Sequence, residues 1–455
     1  LASAAVVAVA VLVALTVVPA LIGLLGERLL PRRRRAAGVG AGADRRPASR
    51  WVRTVTRRPW VTIGAVVVLL GLCAVPASGL RLALTDNGFA ERGSQQRETY
   101  DAVAAAYGEG YNSPIVVIAD VSQPSGSVAA VQGLARDLSQ FDGVEGVSLA
   151  TPNQDGTLAF VQIRPEKSQA DPATMELVHD IRSHAGDYES RYGLTDVMVT
   201  GQTAVAIDVA EELNAALIPF GIVVVGLSLI LLMVVFRSIA VPVTATLGYL
   251  LSLGAGMGAV GAVFGWGWAA DLLAVSKVGA VISFLPVIVM GVLFGLAMDY
   301  QVFLVSRMRE EWTRRRGDAT HAARREAAAA AVETGFLGSA KVVVAAAVIM
   351  TGVFMAFVHT DNVYVKPIAL GLTVGIAADA FLVRMTLIPA LMAALGEKAW
   401  WLPAWLDRLL PVVDVEGEGL EQALEQEEAD AGQSVRSETD SVDDQAEDME
   451  AAVVS

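Results

Sequence analysis

Hydrophobic positions in this chain gather into long unbroken runs, separated by charged or mixed stretches. Windows of about twenty apolar residues, enough to cross a hydrocarbon layer about 30 Å thick as a helix, recur at 1–25, 59–80, 214–236, 241–264, 283–306, 337–358 and 367–395. They predict seven membrane spans. The segment 81–213 has a different texture, with shorter runs and closely spaced polar residues. Pro114–Asp120 reads as a buried strand and Ser127–Phe141 as a helix, with apolar Val128, Val131, Leu134, Ala135 and Leu138 at helical spacing. Val144–Ala150 and Thr157–Ile163 read as two strands joined through the turn-rich 152–156. Ala173–Ala185 is a second helix and Asp196–Thr200 a closing strand. The order strand–helix–strand–strand–helix–strand is the split βαβ, ferredoxin-like arrangement. The fold class expected is therefore a membrane all-α helical bundle of about seven spans carrying one α+β ferredoxin-like extracytoplasmic domain.

Composition agrees with a membrane protein, at 54% apolar residues and a mean hydropathy of +0.51. The net charge of −14 is local: from Val412 to Ser455 fifteen Asp/Glu stand against the single Arg436, and the remainder is neutral. Overall charge gives no support to a nucleic-acid partner. The segment 401–455 reads as an acidic, disordered tail. Charge asymmetry also orients the spans. The Arg-rich linker 26–58 holds eleven arginines and 307–336 holds seven, so both are expected in the cytoplasm. Alternation then places 81–213, with its eight basic and twenty acidic residues, outside and the acidic tail inside. Arg32 to Arg35 suit topology-setting, with anionic lipid headgroups as an additional role. His321–Glu333 reads as an Ala-rich helix near the membrane.

The run 283–306 contains a carboxylate in an expensive place. At about 1.5 Å per residue Asp299 lies roughly 12 Å inside the boundary marked by Arg307. A carboxylate at that depth costs about 2.5–3.5 kcal/mol, so it calls for a partner or a function, and proton handling in a transporter is the reading it invites. Cys73 is the one cysteine, and the four histidines have no metal spacing, so neither cofactor nor metal is expected and no nucleophile–base constellation suggests an enzyme. The chain also repeats itself: Thr16-Val-Val-Pro19-Ala20-Leu21 with Gly26-Glu27 matches Thr386-Leu-Ile-Pro389-Ala390-Leu391 with Gly396-Glu397 at the same offset. On that pattern 1–25 is the last span of an upstream half, 59–80 opens the second half, 81–213 is its outer domain and 214–400 its five-span bundle.

With Gly295-Leu-Ala-Met-Asp299-Tyr300, Phe303-Leu-Val-Ser-Arg307, Asp379-Ala-Phe-Leu-Val-Arg384 and the Pro389-Ala-Leu ending in this order, the sequence resembles the MmpL (mycobacterial membrane protein large) transporters of the resistance-nodulation-division superfamily. The resemblance covers about 1–400. It implies twelve spans in two halves, a porter domain on each half, and an Asp-Tyr pair from each half meeting at the centre. It therefore implies a missing N-terminal half as partner. Proton-motive-force-driven export of a lipid or lipid-like metabolite through the bacterial inner membrane follows, with membrane lipids and a hydrophobic substrate as partners and a homo-oligomer as an option. Drug or antibiotic efflux, or a truncated non-transporting scaffold, are the other readings.

The proton relay implied is Asp299, Tyr300, Asp379 and Arg384. Asp299 alternatively fixes helix packing through hydrogen bonds. Tyr300 lies about 100° round the helix from Asp299, suiting a partner carboxylate of the other half, or plain packing. Asp379 and Arg384 stand five apart, about 140° round an α-helix, which disfavours a direct pair. Asp379 is expected to face the interior and join Asp299, with Arg384 neutralising or gating it, or else snorkelling to the interface. Lys341 is either a counter-ion or another snorkelling lysine. Gly248, Ser252, Gly254, Gly256, Gly258 and Gly261 predict close helix approach.

Overall fold

The computed structural model describes residues 2–25, 46–121, 126–315 and 321–410. The acidic segment from 411 and most of the Arg-rich linker lie outside the described residues. The chain divides into two compact units, 1–51 and 52–455. The first holds the apolar helix α1 (Ala2–Leu25), interrupted by Pro19. Helix α2 (Arg46–Arg57) carries a polar and an apolar face. Val52 and Val55 are buried, while exposed Arg53 pairs with Glu333 at 2.9 Å.

Helix α3 (Pro59–Ala74) starts on Pro59, where a missing N–H costs nothing, and tightens into a 3-10 turn over Val75–Gly79. The chain then leaves the bundle through the short strand β1 (Arg81–Ala83) and helix α4 (Gln95–Tyr107), whose N-cap Ser94 accepts from the Arg97 amide. An α+β domain follows: β2 (Ile115–Val121), α5 (Ser127–Leu138), β3 (Val144–Pro152), β4 (Leu158–Pro165), α6 (Pro172–Ser183), the short α7 (Ala185–Tyr192) and β5 (Leu194–Thr200). Its four strands are antiparallel in the order β3-β4-β2-β5. Strand β2 buries alternate residues, and Ile115 and Val117 join Val161, Ile163, Leu134 and Ile181 in one core.

Helix α8 (Gln202–Phe236) ties that domain to the bundle. Its 35 residues extend about 52 Å, more than a bilayer core requires. The surplus is used at its start, where Ala204 and Ile207 enter the α+β core. The end of the outer domain and the span that follows it therefore share one continuous helix.

The bundle continues with α9 (Ala240–Val260), the parallel partner strand β6 (Ala280–Ile282), α10 (Leu285–Arg315), α11 (His321–Val358) and α12 (Val365–Ala377). A π-helical segment, Ala378–Leu387, and α13 (Ile388–Leu395) complete the last crossing. Strand β6 pairs with β1 in the register Arg81↔Ala280, joining the end of α3 to the approach of α10. The Ala-rich stretch 321–333 is the beginning of α11 itself rather than a separate helix.

Seven spans are predicted by the sequence; among the described residues six helices are long and apolar enough to cross a membrane, and α1 is the remaining candidate. The small residues of α9 act through contact. A Cβ on Gly258 would overlap the Cys73 carbonyl, and one on Gly256 would meet Gly371 O at 2.6 Å. Helices α3 and α12 therefore lie against α9 at backbone distance.

Candidate functional site

The site is built where α12 changes pitch. Through Ala378–Leu387 the backbone bonds run from i to i+5, and Ile388 donates its N–H to Val383 O. The Thr386 hydroxyl likewise reaches five residues back, to Phe381 O at 2.9 Å. Pro389, with no N–H to offer, stands just beyond, so regular α-helical bonding is already interrupted there. The neighbouring helix comes close at this level, with Gly248 of α9 leaving room for Val383.

This pitch decides the fate of two charges. Asp379 and Arg384 are both buried, each 3% exposed, and Arg384 Nε donates to Asp379 Oδ2 at 2.5 Å. The pair that α-helical spacing disfavours is thus made, because a spacing of five separates residues on an α-helix but brings them back to one face on a π-helix. Two buried charges are tolerated only when paired in good geometry with their remaining donors and acceptors satisfied. Arg384 meets that condition by crossing to α10. Its Nη2 donates to Ala297 O, its Nη1 lies 3.4 Å from Gln301 Oε1, and its Cζ stands 5.6 Å from the centre of the Tyr300 ring. A guanidinium at that range is attracted to the ring face.

The structure thus brings Tyr300, Asp379 and Arg384 together. Asp299 does not join them. One residue before Tyr300, it is exposed on the outer surface of α10. The two residues lie on different faces, as their spacing requires, but Tyr300 is turned toward this chain's own arginine. Lys341 is exposed on α11 and does not enter the cluster. Gln301 is a member that the sequence pattern alone does not single out. It is 2% exposed, and its Nε2 has no hydrogen-bond partner among the described residues. An amide two residues from Asp299 inside an apolar run is the signal that could have found it. Among the described residues no group of three His, Cys, Asp or Glu side chains is placed to hold a metal ion.

The family model described as the MMPL family matches residues 93–411. The chain is 36% identical over 419 residues to membrane protein YdfJ of Bacillus subtilis, covering 92% of this chain and 55% of that protein. It is 30% identical over 422 residues to the mycolic acid-containing lipids exporter MmpL11 of Mycolicibacterium smegmatis, covering 90% and 42%. A shorter match, 34% identical over 217 residues, covers 48% of this chain and 22% of the trehalose monomycolate exporter MmpL3 of Mycobacterium tuberculosis. The chain spans about half the length of the first two of these relatives. A family match over most of the chain, on a multi-pass helical bundle with a buried ion pair in its last crossing, makes this protein a member of the MMPL family.

Proposed function

We propose that this chain is the second half of a two-half exporter that moves a lipid or lipid-like metabolite across the inner membrane at the expense of the proton gradient. The α+β domain is its extracytoplasmic porter domain of ferredoxin-like type, a reading supported by the strand order β3-β4-β2-β5. The single observation that carries the proposal is the buried Asp379–Arg384 pair braced against the helix of Asp299 and Tyr300. A protonatable acid held by a cation inside a membrane bundle is a two-state element. Protonation of Asp379 removes one charge and releases Arg384 from it, loosening the tie between the π-segment and α10. Asp299, on the outward surface of α10, is placed to meet a carboxylate–tyrosine pair of the other half. One charge moved through 100 mV is worth about 2.3 kcal/mol, enough to bias such an element. The relatives named as exporters of mycolic acid-containing lipids and of trehalose monomycolate suggest the substrate class.

The test is made in the chain joined to its complementary half. Asp299→Asn and Asp379→Asn should each abolish gradient-driven movement of a fluorescent lipid in vesicles, with membrane insertion retained. Wild-type transport by either variant sinks the relay.

A further inference from the structure

The groups that receive the Arg384 guanidinium divide by element. Its own segment supplies one, the Asp379 carboxylate. Helix α10 supplies the others, and all of them are neutral: the Ala297 carbonyl, the Gln301 side-chain oxygen and the face of the Tyr300 ring. Ala297 and Gln301 stand four apart, about one turn of α10, so carbonyl and amide form a two-pronged cradle on one face. A carbonyl oxygen has two lone pairs, so Ala297 O can serve both the helix bond from the Gln301 N–H and Arg384. Other charges stay away from the cradle. Residues 59–74 of α3 and 240–260 of α9 include no Asp, Glu, Lys, Arg or His. Asp299 and Lys341 are exposed. Among the described residues Asp379 is the one carboxylate within ion-pair distance of Arg384.

The Gln301 amide is used at one end only. Its Oε1 lies 3.4 Å from Arg384 Nη1, while its buried Nε2 has no acceptor among the described residues. A buried donor left unmatched is costly, and an apolar side chain of the same length would avoid that cost. What the amide alone supplies here is an oxygen turned toward the cation. While Asp379 is ionised this dipole adds little, because the carboxylate already neutralises the guanidinium and repels the same oxygen. Once Asp379 is protonated, the cation has only neutral oxygens to hold it in an apolar bundle, and each of them counts for more.

We infer that Gln301 is a positioning residue of the relay: it holds Arg384 against α10 while Asp379 is protonated, so that the pair re-forms when the proton leaves. A neutral amide suits this role because it grips the cation without giving it a second anion to settle on. The role rests on the relay reading of the pair; the grip on Arg384 is measurable without it.

Two substitutions test it. Asp379→Asn stands in for the protonated acid, since it keeps an oxygen for Arg384 Nε and carries no charge. Gln301→Met keeps the side-chain length and removes the oxygen. In melts of the purified full chain, Gln301→Met alone should change Tm little, because the lost bond is offset by removal of the stranded donor. In the Asp379→Asn background the same substitution should lower Tm clearly. A residue that only packs gives equal shifts in the two backgrounds, and equal shifts overturn the inference. In the chain joined to its complementary half, with NBD-labelled phosphatidylethanolamine as the probe in vesicles, Gln301→Met should lower kcat about tenfold, the worth of one hydrogen bond to a charged group, and leave KM unchanged. A wild-type kcat in Gln301→Met where Asp379→Asn is inactive overturns the positioning role alone. Wild-type transport by Asp379→Asn sinks the relay reading instead, and the paired melts then decide whether Gln301 holds the cation.

Discussion

Asp379 and Asp299 are carboxylates on adjoining helices of one bundle, and the chain treats them in opposite ways. Around Asp379 the helix abandons α pitch for ten residues so that a cation five positions on can reach it. Around Asp299 the helix keeps α pitch and turns the acid outward. The first carboxylate is satisfied within the chain at the cost of backbone regularity. The second has no hydrogen-bond or ion-pair partner among the described residues. A buried charge on a membrane helix can thus be met by changing the backbone.

The largest effect expected comes from breaking the internal pair. Arg384→Met leaves Asp379 buried and unpaired, which typically costs about 3–5 kcal/mol, and also frees Ala297 O and Gln301 Oε1. A melt of the purified protein at neutral pH should show a marked loss of stability. An unchanged melting temperature would falsify the assignment of Arg384 as the counter-charge.

Removing both charges should be far gentler. Asp379→Leu with Arg384→Leu replaces the pair by apolar groups, and such replacements range from neutral to stabilising. The double variant should melt close to wild type, so a double-mutant cycle against the single variants should give a coupling at least as large as the cost of the Arg384 substitution alone, about 3–5 kcal/mol. It should transport nothing when joined to the complementary half. Retained transport would show that the pair is structural only.

The two acids also differ in how far they are legible in the sequence. Both announce themselves as charges in apolar runs, as does Arg384. The spans and the strands of the outer domain follow from periodicity, which is a local property. The pitch of Ala378–Leu387 is not local: it is settled by close packing against Gly248 and by Pro389 after the segment. No 100° rule applied to Asp379 and Arg384 can find it. Gln301 and Lys366 are equally hidden, because an amide or lysine near a span reads as a snorkelling or surface residue until burial is known. The joining of outer domain and span in α8 escapes for a related reason, since its polar start resembles a loop-borne domain edge until Ala204 and Ile207 are seen in the core.

Asp299→Asn sharpens the contrast from the other side. An exposed carboxylate without a close partner contributes little, so stability should change by no more than about 0.5 kcal/mol. Asp379→Asn, which strands Arg384, should be clearly less stable than Asp299→Asn in the same melt. If the two variants melt alike, the division into a satisfied and an outward acid fails.

Asp86, outside the spans, supplies the smallest effect and a third way of holding a carboxylate, by neutral donors. Its Oδ1 accepts from the Gly88 amide at 2.9 Å and its Oδ2 from the Tyr100 hydroxyl at 3.2 Å. Burial holds this carboxyl above the ordinary carboxylate range, only partly offset by the Gly88 amide, the charge of Lys277 and the Tyr100 hydroxyl. A raised folded-state pKa means the fold binds that proton more tightly than the unfolded chain does. The stabilising contribution is therefore present at low pH and is lost as pH rises from the ordinary carboxylate range through the raised value. Asp86→Asn keeps an acceptor for Gly88 and a group able to bond Tyr100, and it carries no charge to desolvate. At neutral pH the variant should equal or slightly exceed wild type, by about 1 kcal/mol at most, and the difference between the two should shrink as pH falls. Melts of both across that range decide it: a variant less stable than wild type at neutral pH means the ionised carboxylate is needed there, and that neutral donors alone do not account for how the outer domain holds its acid.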